Sequence, residues 1–139
     1  MLIWLVLIPL IAAALIGLCK APARPTALLS ASLTLALGIW ALVSFDGCSS
    51  CWSRFEGMDL QLTLAPALSK VMLLLTILVT FATVLGTNPP QGGEASWYNS
   101  ALLISAGATG AFLSDNMISF FAFHELALIP TFVMIGLYG

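Results

Sequence analysis

Five long apolar runs, separated by short polar or proline-bearing links, constrain this chain more than any other feature. They cover residues 1–19, 26–45, 66–86, 97–113 and 117–138. A helix crossing the hydrocarbon core of a bilayer needs roughly 20 mostly apolar residues. The runs therefore predict an all-α integral membrane protein with five transmembrane helices in a single region, residues 1–139. Their apolar residues surround each helix instead of forming a stripe, as in spans that face lipid or lie inside a bundle. Only 7% of residues are charged, against about 25% in soluble domains. A net charge of −2 and four Lys or Arg in all exclude a nucleic-acid partner, which needs clustered positive charge.

The first run has no basic region before it and is longer than the apolar part of a leader peptide, so it reads as a retained span. Residues 20–25 (KAPARP) form a tight basic turn, and 88–94 (NPPQGGE) a helix-breaking loop. Ser114, Asp115 and Asn116 are placed to cap the last helix. The longest link, 46–64, mixes charges and aromatics and reads as an ordered or interfacial loop. Lys20 and Arg24 lie together in the short first loop, opposed by Arg54 and Lys70 on the other side. The positive-inside rule then puts the first loop in the cytoplasm and the N-terminus outside. On that side a disulfide between Cys48 and Cys51 is permitted. Two cysteines with no His nearby do not make a metal site.

Glu125 is the one carboxylate inside the last apolar run, MISFFAFHELALIPTFVMIGLY. It lies eight residues past Met117, about 12 Å along a helix rising ~1.5 Å per residue, near the middle of a ~30 Å hydrocarbon layer. A charge at that depth costs at least ~2.5–3.5 kcal/mol on insertion scales, so such residues face protein or water and mark function. Glu125 is expected to be buried and to serve as a proton-relay carboxylate; the rival reading is a structural Glu bonded to a neighbouring helix. Phe121, Ala122, Leu128, Ile129 and Phe132 share its side of the helix, and none can partner it. His124, adjacent in sequence, could extend a proton chain or serve as a neutral hydrogen-bonding group. Pro130 frees the carbonyl of Leu126 and tends to kink the helix there. Ser105-Ala-Gly107-Ala-Thr-Gly110-Ala is a run of small residues that lets helices approach closely. Ser69, Thr76, Thr80, Thr83 and Thr87 fall on one stripe of the third run. They either face a hydrated seam or bond back to their own carbonyls. The bases Lys20, Arg24, Arg54 and Lys70 all sit in loops or at span ends. Either Glu125 is protonated at rest, or its partner lies on a helix this chain does not contain.

Residues 110–130, GAFLSDNMISFFAFHELALIP, resemble the fifth-helix signature of the antiporter-like membrane subunits of respiratory complex I. The ELxLIP pattern after a Phe-rich stretch favours the branch formed by NADH-quinone oxidoreductase subunit M, subunit 4 in mitochondria and chloroplasts. The resemblance is densest over 107–139; upstream it rests on hydropathy and on the order of the spans. It implies a fold of about fourteen helices containing two inverted five-helix repeats, helices 4–8 and 9–13, of which this chain would supply the three helices before the repeats and the first two helices of the first repeat. It also implies that Glu125 is the family's functional glutamate, coupled in that family to a lysine on a later, broken helix. Two departures are visible. His124 stands where an aromatic residue often precedes the glutamate, and the chain stops at Gly139, before the lysine-bearing helices. The chain is therefore expected to be an N-terminal fragment.

The function implied is a proton-translocating part of a respiratory NADH:quinone oxidoreductase, driven by redox chemistry in other subunits. On that reading this chain binds no cofactor of its own, while NADH, FMN, iron–sulfur clusters and quinone belong to partner subunits. Other membrane subunits, protons and the lipid of a bacterial inner membrane are its expected partners. Two alternatives stay open: a subunit of an Mrp-type cation/proton antiporter, and a non-transporting scaffold that assembles through the small residues of the fourth run.

Overall fold

The computed structural model describes residues 2–20, 22–44, 51–55, 58–62, 67–89 and 91–139. It contains five helices: α1 (Leu2–Cys19), α2 (Ala23–Ser44), α3 (Ala67–Gly86), α4 (Glu94–Leu113) and α5 (Met117–Tyr138). Strands β1 (Cys51–Phe55) and β2 (Met58–Leu62) lie between α2 and α3. They pair antiparallel, with Cys51 opposite Leu62 and Phe55 opposite Met58. The 46–64 link is therefore built partly as a hairpin, a β element that an all-α reading does not contain. Cys48 lies outside the described residues, and with it the pairing of Cys48 and Cys51. Cys19 is a free, exposed thiol.

Helix α2 begins at Ala23, three residues before the run suggests, so Pro25 sits in its first turn. Proline is tolerated there because the first-turn amides have no intrahelical partner to lose. Lys20 ends α1 in the left-handed region, with φ of 50°, which is unusual for a residue other than Gly, Asn or Asp. Helix α4 likewise begins early, at Glu94, whose negative charge suits a helix N-terminus. At the start of α5 the Asn116 side-chain oxygen accepts from the Ile118 amide at 3.1 Å, so the cap falls within the 114–116 link.

Helices α1, α2, α3 and α5 are each long and apolar enough to cross a membrane. Helix α4 is absent from that set, although it is as long as α3. Its sequence is diluted by Ser, Thr, Gly and Asn, and the reason lies in its position. Helix α4 packs against α1, α2, α3 and α5, and Tyr98, Leu102, Ala106, Thr109 and Leu113 on it are closed off completely. A helix inside a bundle need not offer apolar side chains to lipid. The interior holds Ser30, Thr34, Ser100, Ser105, Thr109 and Ser119, whereas the exterior carries most of the large aliphatic and aromatic side chains. Small and hydroxylated residues at helix contacts with bulky apolar residues outside is the distribution of a helical membrane protein. This is a multi-pass membrane protein.

Two apolar clusters tie the helices together. Leu2 and Leu5 of α1 meet Ala41 of α2, Leu73 and Ile77 of α3 and Leu113 of α4 at one end. At the other end Ala12, Ala13 and Ile16 meet Ala27, Ala31, Val84, Tyr98 and Leu102.

Candidate functional site

The last helix is held on α4 by one face, and the site residues are sorted by it. Ser119 and Pro130 are buried, and Phe123, Leu126, Ala127, Thr131, Met134 and Tyr138 are half-buried. These recur at three- and four-residue steps, the spacing of one helix face. The approach is closest at two glycines. A Cβ on Gly107 would stand 2.7 Å from the Ala127 nitrogen and 2.8 Å from the Phe123 oxygen. A Cβ on Gly110 would collide with the Phe123 ring. At the far end the Tyr138 hydroxyl donates to the Gly93 carbonyl at 2.8 Å. The Tyr138 ring meets Trp97 edge-on, with centroids 5.3 Å apart.

This docking decides where Glu125 points. Phe123 lies against Gly110, and two residues along a helix is a turn of roughly 200°, so Glu125 falls on the opposite side. Glu125 is exposed, as are Phe121, Ala122, Leu128, Ile129 and Phe132 from the stripe it shares. The five helices described here do not themselves supply the burial expected of Glu125; they leave it uncovered by protein. Its depth along α5 is unchanged, but the face that carries it is the one α4 does not use. Glu125 makes no ion pair or hydrogen bond with another described residue. His124 is also exposed, and its ring stacks on Phe120 with centroids 6.0 Å apart and 21° between planes. Pro130 is buried on the α4 side, and α5 runs unbroken through it to Tyr138. Thr131 donates its hydroxyl to the Ala127 carbonyl at 2.8 Å.

The hydroxyl stripe of α3 lies elsewhere. Thr76 and Thr80 donate back to the carbonyls of Met72 and Thr76, each at 2.8 Å. Thr76 and Thr80 thus bond to their own helix, and the same stripe also borders an open space. The Thr80 and Ser105 hydroxyls are 3.0 Å apart and join α3 to α4. A cavity of about 350 Å³ opens beside them, lined by Thr76, Thr80, Thr83, Ala101, Ser105 and Met134 among others. Met134 is nine residues beyond Glu125, two and a half turns on, so the cavity and the glutamate lie on opposite sides of α5. The fold does not bring the two together. Among the described residues no three His, Cys, Asp or Glu gather into a group that could hold a metal ion.

No family model matches the chain. Similarity to individual proteins is extensive. The NADH-quinone oxidoreductase subunit M of Pseudomonas aeruginosa is 31% identical over 155 residues, covering 98% of this chain and 30% of that protein. The F(420)H(2) dehydrogenase subunit M of Methanosarcina mazei is 25% identical over 145 residues, covering 97% of this chain and 29% of that protein. This chain resembles subunit M along nearly its whole length. The chloroplastic NAD(P)H-quinone oxidoreductase chain 4 of Chara vulgaris is 38% identical over 72 residues, 52% of this chain and 15% of that protein. The chain spans less than a third of the length of the subunit M proteins it matches.

Proposed function

We propose that this chain forms the N-terminal helices of a proton-translocating membrane subunit in a respiratory oxidoreductase of the NADH:quinone type, with Glu125 as a proton station. The observation that carries the proposal is a carboxylate at mid-depth of a spanning helix, on the one face of that helix that its own bundle leaves uncovered. Charged groups at such depth do not rest against lipid. A further helix, from a longer form of the chain or from a partner subunit, covers that face. Within a family-type fold of about fourteen helices, this second layer supplies the basic group that the present inventory lacks. The redox cofactors sit in other subunits, and this chain contributes to the proton path alone. The relatives are named for three donors, NADH, NAD(P)H and F(420)H(2), so the proposal rests on the proton path they share and not on the donor. His124, exposed and next to Glu125 in sequence, is the second proton carrier in this reading.

The scaffold alternative is weakened by the packing. The small-residue face of α4 is occupied within the chain by α5, at Gly107 and Gly110, and is not free for an outside partner. The test is Glu125→Gln in the assembled oxidoreductase, with assembly, electron transfer and proton pumping followed separately. Loss of pumping from an assembled complex supports the proton station. Normal pumping removes it, and loss of assembly alone returns the scaffold reading.

A further inference from the structure

At the end of the bundle away from the hairpin, α1, α2 and α4 border an open cavity of about 560 Å³. Lys20, Gly17, Ala23, Glu94, Ser96 and Asn99 are among the residues that line it. Two features make it unlike the apolar cavity beside Thr80 and Ser105, and its size adds a third consideration. It carries one cation and one anion, Lys20 and Glu94, which make no ion pair with each other or with any other described residue. The Asn99 amide, held where a Cβ on Gly17 would be 3.0 Å from its nitrogen, also makes no hydrogen bond to a described residue. The cavity is far larger than the ~10–15 Å³ that one water requires. Opposite charges that share a cavity without touching leave room for a group bearing both complementary charges.

The position narrows the ligand further. Lys20 follows the last residue of α1, and Glu94 is the first residue of α4. The end of a membrane-spanning helix such as α1 lies at the depth of lipid headgroups, and the start of α4 lies beside it, with Asn99 against Gly17. We infer that this cavity binds the headgroup of a zwitterionic phospholipid with a primary ammonium, a phosphatidylethanolamine. The phosphate faces the Lys20 ammonium, and the lipid ammonium donates to the Glu94 carboxylate and the Asn99 side-chain oxygen. An anionic lipid such as phosphatidylglycerol would satisfy Lys20 but offer Glu94 only neutral glycerol hydroxyls, with no positive charge to match the carboxylate. A phosphatidylcholine matches both charges yet has no N–H to donate, so it forgoes the charge-assisted hydrogen bonds, which are roughly twice as strong as neutral ones.

The experiment is retention of lipid by the purified full chain in detergent. The chain is exchanged against equimolar dioleoyl-phosphatidylethanolamine, -phosphatidylcholine and -phosphatidylglycerol and read by native mass spectrometry. Phosphatidylethanolamine is expected to be retained in preference to both others. Glu94→Gln is expected to erase the preference over phosphatidylcholine, and Lys20→Gln to lower phospholipid retention about fivefold. Asp115→Asn, at the opposite end of the bundle, leaves the pattern unchanged. Equal retention of the three lipids by the unaltered chain overturns the inference, and that arm requires no variant to fold. So does Glu94→Gln retaining the original preference. Displacement by soluble glycerophosphoethanolamine at the same concentration as the lipid would reassign the cavity to a free phosphate ester.

Discussion

Gly107 and Ala127 set how α5 lies on α4: a Cβ on Gly107 would stand 2.7 Å from the Ala127 backbone nitrogen. Only hydrogen fits there, and the closeness turns the opposite face of α5, with Glu125, away from the bundle. Overpacking a tight contact costs about 1–3 kcal/mol. Gly107→Ala is therefore expected to destabilise the chain by that amount in detergent unfolding. Gly110→Ala is expected to destabilise it too, but its obstacle is the Phe123 side chain. Phe123→Leu should relieve Gly110→Ala and leave Gly107→Ala unrelieved, because the second obstacle is backbone.

The Thr80 and Ser105 hydroxyls, 3.0 Å apart, link α3 to the centre of the bundle. Interhelical hydroxyl bonds in membrane proteins contribute about 0.6 kcal/mol on average. A double-mutant cycle of Thr80→Val and Ser105→Ala is expected to give a coupling of that size. A coupling indistinguishable from zero would show that the contact is incidental.

Thr109 is completely enclosed, and its hydroxyl has no hydrogen-bond partner among the described residues. A buried unsatisfied polar group carries its desolvation cost without return. Thr109→Val keeps the shape and removes the hydroxyl. It is expected to leave stability unchanged or raise it by up to about 1 kcal/mol, read as the unfolding midpoint. The enclosed Tyr98 hydroxyl is in the same position, so Tyr98→Phe should behave alike. A clear loss from either substitution would reveal a partner that these helices do not supply.

Tyr138 closes the α4–α5 pair by donating to Gly93 at 2.8 Å while its ring rests on Trp97. Tyr138→Phe removes only the hydrogen bond and is expected to cost about 0.5–1.5 kcal/mol. Tyr138→Ala also releases Trp97, so its fluorescence should shift as well. Equal effects from the two would place the whole contribution in the hydroxyl's hydrogen bond and none in the ring.

The helices themselves were legible because apolar run length is a direct consequence of bilayer thickness, and α5 keeps the bounds of its run. Where helices start was less so: Pro25 and Glu94 look like loop residues until their places in first turns are seen. The central position of α4 was half legible. Its small residues signalled close packing, while its modest hydropathy gave no hint that it would be the most enclosed helix. The hairpin was missed although Glu56-Gly57 separates two five-residue segments, a spacing typical of tight turns. The exposure of Glu125 could not be read from its own helix. Which face of α5 is covered depends on glycines of α4, and helix periodicity alone does not say which face a neighbour takes. Lys20 and Glu94 were likewise beyond reach, being 74 positions apart in sequence and meeting only through the bundle.

The most direct measurement is the number of protons moved per NADH oxidised in inverted membrane vesicles carrying the assembled oxidoreductase, compared among Glu125, Glu125→Asp and Glu125→Gln. A carboxylate is needed for proton transfer, so the expected result is a stoichiometry largely kept by Asp and lowered by Gln at equal assembly. A Gln variant that pumps as many protons per NADH as the unaltered protein would contradict the assignment of Glu125 as a proton station.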